Sequence, residues 1–356
     1  MTKHPVSRRG LIAAAGVALP LGLAAPRVFA GNRVAVPDLL LAPPICHAAL
    51  PVPVTVVPQK HALKLTWNAN SICTVGVPVA QQKGFFAKRN LDVELINFGG
   101  STDQLLEAIA TSKADAGVGM ALRWLKPLEQ GFDVRITTGV HGGCIRMLAS
   151  KDSGITTLQQ LKGKTIGVAD LGSPDKNFFS IRFAKLGIDP LADIEWKVYP
   201  ADLLGQALKK GEIQAFTGGD PLMWLLRERD NLTEVATNLD GEYAHRTCCI
   251  LGVRGSLIRD DKQAATALTE AILEAQQFTV ENPDQAAAIF APYAPSAKPE
   301  QLAAMLRSHT HGHHPIGTDL QQEIALYAEE LQRISVIKPS TNPQKFAAKV
   351  YANVLS

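Results

Sequence analysis

Residues 91–119 read LDVELINFGGSTDQLLEAIATSKADAGVG. From Leu91 to Asn97 apolar and polar side chains alternate, the period-two signature of a strand. Gly99-Gly100 makes a turn, and Ser101 or Thr102 can cap the helix that follows over Asp103–Ser112. Ala116–Gly119 is a short second strand. A strand, a helix and a strand in succession predict an α/β fold with parallel strands.

The same alternation extends in both directions. Upstream, Leu63–Trp67 reads as a buried strand, and a helix follows it, ending near Gly84-Phe85-Phe86-Ala87. Downstream, strands are expected at Val134–Val140, Met147–Ser150, Thr165–Ala169, Trp196–Tyr199, Gln214–Thr217 and Cys248–Val253. A helix starting at Ser173 or Asp175 runs to Leu186 and stops at Gly187, a good residue just past a helix end. Another covers Leu203–Lys210. From Lys262 onward the pattern is helical, over 262–281, 283–291, 299–308, 318–333 and 343–354. No period repeats, which excludes a solenoid.

The N-terminus carries a targeting pattern. Ser7-Arg8-Arg9-Gly10-Leu11-Ile12 precedes an apolar run from Ala13 to Ala25, and Val28-Phe29-Ala30 offers small residues for cleavage. Gly16, Pro20 and Gly22 interrupt the run, which is shorter than the roughly 20 apolar residues of a spanning helix. Residues 1–30 are therefore read as a twin-arginine signal peptide and the product as periplasmic. That segment holds four basic residues and no acid, so the remainder carries 32 basic against 33 acidic residues. A near-neutral body gives no electrostatic footprint for nucleic acid. Residues 31–60 hold Pro37, Pro43, Pro44, Pro51, Pro53 and Pro58, and so predict an extended arm ahead of a body beginning near His61. The five cysteines, Cys46, Cys73, Cys144, Cys248 and Cys249, show no CxxC spacing, and their pairing is open.

Three strings carry a resemblance. They are GFFAKRNLDVEL at 84–95, FGGSTDQLLEAI at 98–109 with KADAGVG at 113–119, and LQQLKGKTIGV at 158–168. Gly172-Ser173 and Leu186-Gly187-Ile188-Asp189-Pro190 continue the order. Together these resemble the nitrate-, sulfonate- and taurine-type substrate-binding proteins of ABC importers. The resemblance implies a two-lobe periplasmic-binding-protein fold of type II, with a ligand cleft between lobes. Residues 61–145 and 250–356 would form the first lobe and 146–249 the second. It implies a monomer without cofactor or catalytic residues, which takes a small anionic solute to a membrane permease and its ATPase. Two other functions occur on the same architecture: a periplasmic metal-binding protein or sensor, and a thiamine-pyrimidine synthase.

Loops that leave strand C-termini and open helices present free N–H groups and a positive dipole end, which suits a small oxyanion. Gly99-Gly100-Ser101-Thr102 is one such loop and Gly172-Ser173 its counterpart, so the ligand is expected between them. Asn68, Asn70, Ser71 and Thr74 follow the first strand and Met120 ends the third. His141, in His141-Gly142-Gly143-Cys144, is either a ligand donor or a satisfied interior histidine. Gly219 and Asp220 end a second-lobe strand, where the carboxylate can pair with a cationic ligand group or cap a helix before Pro221. His309, His311, His313 and His314 form a run dense enough in imidazole to hold a transition metal. No GxSxG, HExxH or P-loop string occurs.

The leader is directly testable. Replacing Arg8 and Arg9 by lysine should block export, and N-terminal sequencing of the exported chain should begin at Gly31. Normal export of the double variant would remove the twin-arginine assignment.

Overall fold

A computed structural model describes residues 53–98 and 102–356. The leader, the arm as far as Val52, Cys46 and the loop residues Gly99, Gly100 and Ser101 lie outside them. The strands in chain order are β1 (His61–Trp67), β2 (Leu91–Asn97), β3 (Ala116–Met120), β4 (Val134–His141), β5 (Ile145–Ala149), β6 (Thr165–Val168), β7 (Glu195–Val198), β8 (Ala215–Gly219), β9 (Thr233–Thr237) and β10 (Cys249–Arg254).

They form two sheets, ordered β2-β1-β3-β10-β4 and β7-β6-β8-β5-β9. In the first, β1 is parallel to β2 and β3, whereas β10 lies antiparallel between β3 and β4. The second repeats the scheme: β6 is parallel to β7 and β8, and β5 lies antiparallel between β8 and β9. The alternation of elements predicts parallel strands, and four of the five strands in each sheet run the same way. The two exceptions have one cause. β5 and β10 are the strands that receive the chain directly from the other sheet, so no helix turns it around first. They therefore enter from the opposite end.

β1 alternates buried and exposed side chains at its start, while β5 and most of β3 and β10 are buried throughout, as expected of strands covered on both faces. The helix Lys262–Glu281 contacts β2, β4 and the helix Gly76–Gln82, while Gly317–Arg333 and Pro343–Val350 contact β4. The C-terminal third of the chain thus packs on the first sheet. The helix Gly317–Arg333 also reaches the helix Pro174–Lys185 of the second.

Three helices, Ala121–Glu129, Leu222–Arg229 and the six-residue Gly255–Asp260, and one strand are missing from the sequence-based expectations. The helix Ala121–Glu129 contains Pro127, which reads as a breaker, yet it buries Trp124, Leu125 and Leu128. The helix Leu222–Arg229 is short and begins just after Pro221. The strand Thr233–Thr237 is only half buried and lies at a sheet edge.

The end of the proline-rich segment is docked on the body. The Thr55 backbone N–H and hydroxyl both donate to Glu270, and Pro53 O accepts from Arg89. Arg89 is fully buried, 2.7 Å from Glu274 and 3.4 Å from Glu270, which is itself buried. Removing one member of such a pair leaves the other charged and unsolvated. Arg89→Met should therefore cost about 3–5 kcal/mol in urea denaturation. Thr55→Val, which removes only the hydroxyl bond, should cost about 1 kcal/mol. Equal midpoints for both variants would show that the arginine carries no such burden.

Candidate functional site

A cleft of about 290 Å³ lies where the C-terminal ends of β1, β3, β6 and β8 converge, the place where ligands bind in open α/β sheets. Asn68, Asn70, Ser71, Asp103 and Met120 line it from the first sheet's side. Cys144, Asp170, Ser173, Asp175, Gly219 and Met223 line it from the other. Three carboxylates and two thioethers line this space, and among the described residues no lysine, arginine or histidine lines it.

The loop after β1 is braced by its own side chains. Asn68 accepts from the Asn70 N–H at 2.9 Å and donates to the Ser71 hydroxyl at 3.1 Å. Thr74 is buried beneath it and donates to the Asn68 and Ser71 carbonyls, both at 2.8 Å. Thr74 thus shapes the loop from below and is not a lining residue.

Arg123, on the helix Ala121–Glu129, spans the cleft mouth. It donates to Asp103 at 2.6 Å and reaches Asp170, which follows β6, at 3.1 Å. The hydrogen bond to Asp103 is the main reason its guanidinium is held above its ordinary range. Gly172 is where this arginine rests: a Cβ there would lie 1.6 Å from a guanidinium nitrogen. The expected anion position at Gly172 is thus covered by a guanidinium already paired with carboxylates. Ser173 faces the cleft but also caps the helix Pro174–Lys185, accepting from the Lys176 N–H at 3.4 Å. Asp175, next along, is buried with one oxygen unpartnered, and its burial raises its pKa.

Asp220 lies behind the cleft, not in its lining. Its carboxylate accepts from Arg146 Nε at 2.9 and 3.0 Å and from the Trp224 N–H at 3.0 Å, and meets His309 Nε2 at 2.8 Å. Burial pushes its pKa up, but His309 and Arg146 outweigh burial and hold it below the usual range. The carboxylate therefore serves an internal ion pair as well as the helix cap.

His141 ends β4 at the first crossing between sheets. It is fully buried, and neither ring nitrogen has a hydrogen-bond partner. His311 stacks on it at 5.1 Å between centroids and His309 lies 6.4 Å away. Burial, then the neighbouring His141 and His309, push the pKa of His311 well down. His313 turns away to Glu323 at 2.8 Å, so the four histidines of the 309–314 run do not converge. For His314, burial lowers the pKa.

Four buried thiols gather around His141. Cys73 comes from the turn after β1, Cys144 from the first crossing, and Cys248 and Cys249 from the second. Successive strand residues point to opposite faces. Here both Cys248 and Cys249 reach the group, because Cys248 lies just before β10 begins and outside the alternation of the strand. Hydrogen bonding from Cys144 and then Cys249 draws the pKa of Cys248 down to about 6. Through the same contacts Cys144 and Cys249 are raised, and Cys73 is raised by Cys144. Composition gave no reason to join these residues. The only local signals are the adjacent cysteines and the pairing of His141 with Cys144 across two glycines.

Of the residues expected at the ligand, Asn68, Asn70, Ser71, Met120, Ser173 and Gly219 line the cleft. Thr102 opens the helix Thr102–Ala110. Sequence reasoning missed Asp103, Asp170, Asp175 and Met223.

Residues 73–286 match the NMT1/THI5 like family. Among curated proteins, the chain is 26% identical over 245 residues to a putative thiamine biosynthesis protein of Haemophilus influenzae, spanning 67% of this chain and 74% of that one. It is 27% identical over 231 residues to the bicarbonate-binding protein CmpA of Synechococcus elongatus, spanning 56% of this chain and half of CmpA. Among solved structures, the aliphatic sulphonate binding protein SsuA of Escherichia coli superposes with a TM-score of 0.69 at 16% identity, covering 82% of this chain and 92% of that one. The nitrate-binding protein NrtA of Synechocystis PCC 6803 gives 0.69 at 16% identity, covering 84% and 88%. These likenesses establish the two-sheet fold of periplasmic binding proteins, and the chain belongs to the NMT1/THI5-like family.

Proposed function

We propose that this chain is the solute-binding component of an ABC importer, acting in the periplasm and delivering its ligand to a permease and ATPase. One observation carries the reading: a single cleft sits at the strand ends of two separate sheets and is spanned by the Arg123–Asp170 ion pair. Residues 61–145 with 250–356, and residues 146–249, would be the two lobes that close on the solute. Breaking and remaking one ion pair is an inexpensive latch, since a half-exposed pair contributes about 1 kcal/mol or less.

The relatives are named for bicarbonate, sulphonate and nitrate, all oxyanions. This cleft presents Asp103, Asp170 and Asp175, so a plain oxyanion would meet three carboxylates. We infer a small zwitterion of the taurine type. Its ammonium would face the carboxylates, and its acidic end would take donors from Ser71, Asn70 and the helix start at Ser173. Calorimetric titration should show an amino-sulfonate binding more tightly than nitrate, bicarbonate or an unaminated alkyl sulfonate. Asp170→Asn should weaken that binding about tenfold, in line with the 1.5–3 kcal/mol of a charge-assisted hydrogen bond. Tighter binding of the simple anions, strengthened by Asp170→Asn, would overturn the ligand class. Turnover of a pyrimidine precursor would instead favour the enzymatic reading suggested by the name of the Haemophilus relative.

Asp175 provides a pH test. Its folded pKa is raised by burial, so its favourable contribution is complete below the unfolded value and is lost as pH rises through the folded one. Without ligand, Asp175→Asn should raise Tm at pH 7, and the gain should shrink toward zero as the pH falls below 4. A gain independent of pH would show that the carboxylate is not under strain.

A further inference from the structure

The buried group at the two crossings is not accounted for by solute capture. His141 is fully enclosed with both ring nitrogens unpartnered. A buried polar atom left without a partner is destabilising, and native structures rarely tolerate two on one ring. Its neighbours are thiols: the donor atoms of His141, Cys73 and Cys144 lie within 4.8 Å of one another, as do those of His141, Cys248 and Cys249. The Cys73 and Cys249 sulfurs are 3.5 Å apart. That is far beyond the roughly 2.05 Å of a disulfide. It is close to the edge of a tetrahedron with metal–sulfur bonds of about 2.3 Å.

We propose that His141 and the thiolates of Cys73, Cys144, Cys248 and Cys249 form a binding site for one thiophilic ion, Zn(II) or Cu(I), at the junction of the two sheets. The donor chemistry selects the ion. Four sulfurs and one imidazole, with no oxygen donor among them, suit a soft or borderline ion and not Ca(II) or Mg(II). Zn(II) would take four of the five donors, and Cu(I) would be satisfied with fewer. The ligands come from three distant parts of the chain, including both crossings, so the ion would tie the connections between sheets to the turn after β1. His309 and His311 stack beside His141, and the Asp220 carboxylate fixes the His309 ring.

The test uses the full chain, reduced and kept anaerobic. It is loaded with Zn(II) or with Cu(I), cleared of excess ion and analysed by elemental mass spectrometry. One equivalent of one of these ions should be retained, and Co(II) substitution should give intense sulfur-to-metal charge-transfer bands. The double change Cys248→Ser and Cys249→Ser should weaken binding, measured against a chromophoric chelator, by at least about a hundredfold. His141→Gln should weaken it in the same direction. His313→Ala, whose ring faces Glu323 outside the group, should bind as the parent does. Near-ultraviolet circular dichroism of each variant separates lost ligation from lost folding. If the double variant does not fold, the His141→Gln result and the cobalt spectrum decide. Retention of neither ion by the parent would overturn the proposal. So would undiminished binding in folded ligand variants, or thiols that are paired as disulfides and take up no ion after reduction. Each readout concerns metal alone, so it stands or falls separately from the solute-binding reading.

Discussion

Asp220 is a fully enclosed carboxylate, and much of the molecule's centre is arranged to keep it charged. An ion moved out of water without compensation costs several kcal/mol, and only close partners offset that. Arg146 on β5 supplies one partner, His309 beyond the helix Pro299–Ser308 another, and the Trp224 N–H a third. These belong to a strand of the second sheet, the C-terminal helices and the helix Leu222–Arg229. One carboxylate therefore fixes where three separate parts of the chain meet. Arg146 also contacts Glu234 on β9 and lies over the Trp224 ring, so the second sheet's edge is held to the same point.

From that point the geometry of both candidate sites follows. Holding Asp220 inside leaves Gly219 at the cleft edge, with Thr217 and Gly218 also lining it. Holding His309 by its Nε2 fixes its ring 6.4 Å from that of His141 and leaves its other nitrogen buried without a partner. Gly142, between His141 and Cys144, permits the tight crossing: a Cβ there would fall 1.9 Å from the Thr310 hydroxyl. The segment after the helix Pro299–Ser308 thus presses directly on the first crossing, and the C-terminal third of the chain holds the connection between sheets in place.

What was legible in the sequence and what was not divides along physical lines. Leu91–Asn97 announces itself because alternation is a property of consecutive residues. Strand direction is not such a property, and nothing within Cys249–Arg254 reveals that it runs antiparallel to both neighbours. The helix Ala121–Glu129 was hidden because Pro127 costs it a backbone bond, whereas tertiary burial of Trp124, packed against Gly119 and Gly252, compensates. At the cleft, Asn68, Asn70, Ser71 and Met120 were found because loops at strand C-termini face the ligand side. Asp103 and Asp170 were missed because acids near helix starts and turns usually serve the helix or the solvent. Only their joint approach to Arg123 shows another use. The thiol group is the extreme case: Cys73 and Cys249 are 176 positions apart, and no local pattern joins them.

The cleft and the thiol group are not independent, because Cys144 belongs to both. It lines the cleft beside Gly219 and is one of the sulfurs around His141. Its backbone also accepts from the Asp220 N–H at 2.9 Å, so its position is set by the residue that anchors the interior. A solute entering the cleft would rest against one wall whose stiffness depends on what the thiols are doing behind it. Free thiols make weak, easily rearranged contacts, while ligation or pairing would fix Cys144 and with it the first crossing. If solute capture moves one sheet relative to the other, as proposed, the crossings are where that motion is absorbed. A chemical change at Cys144 would therefore be felt as a change in closure, although it alters no residue that touches the charged end of a solute.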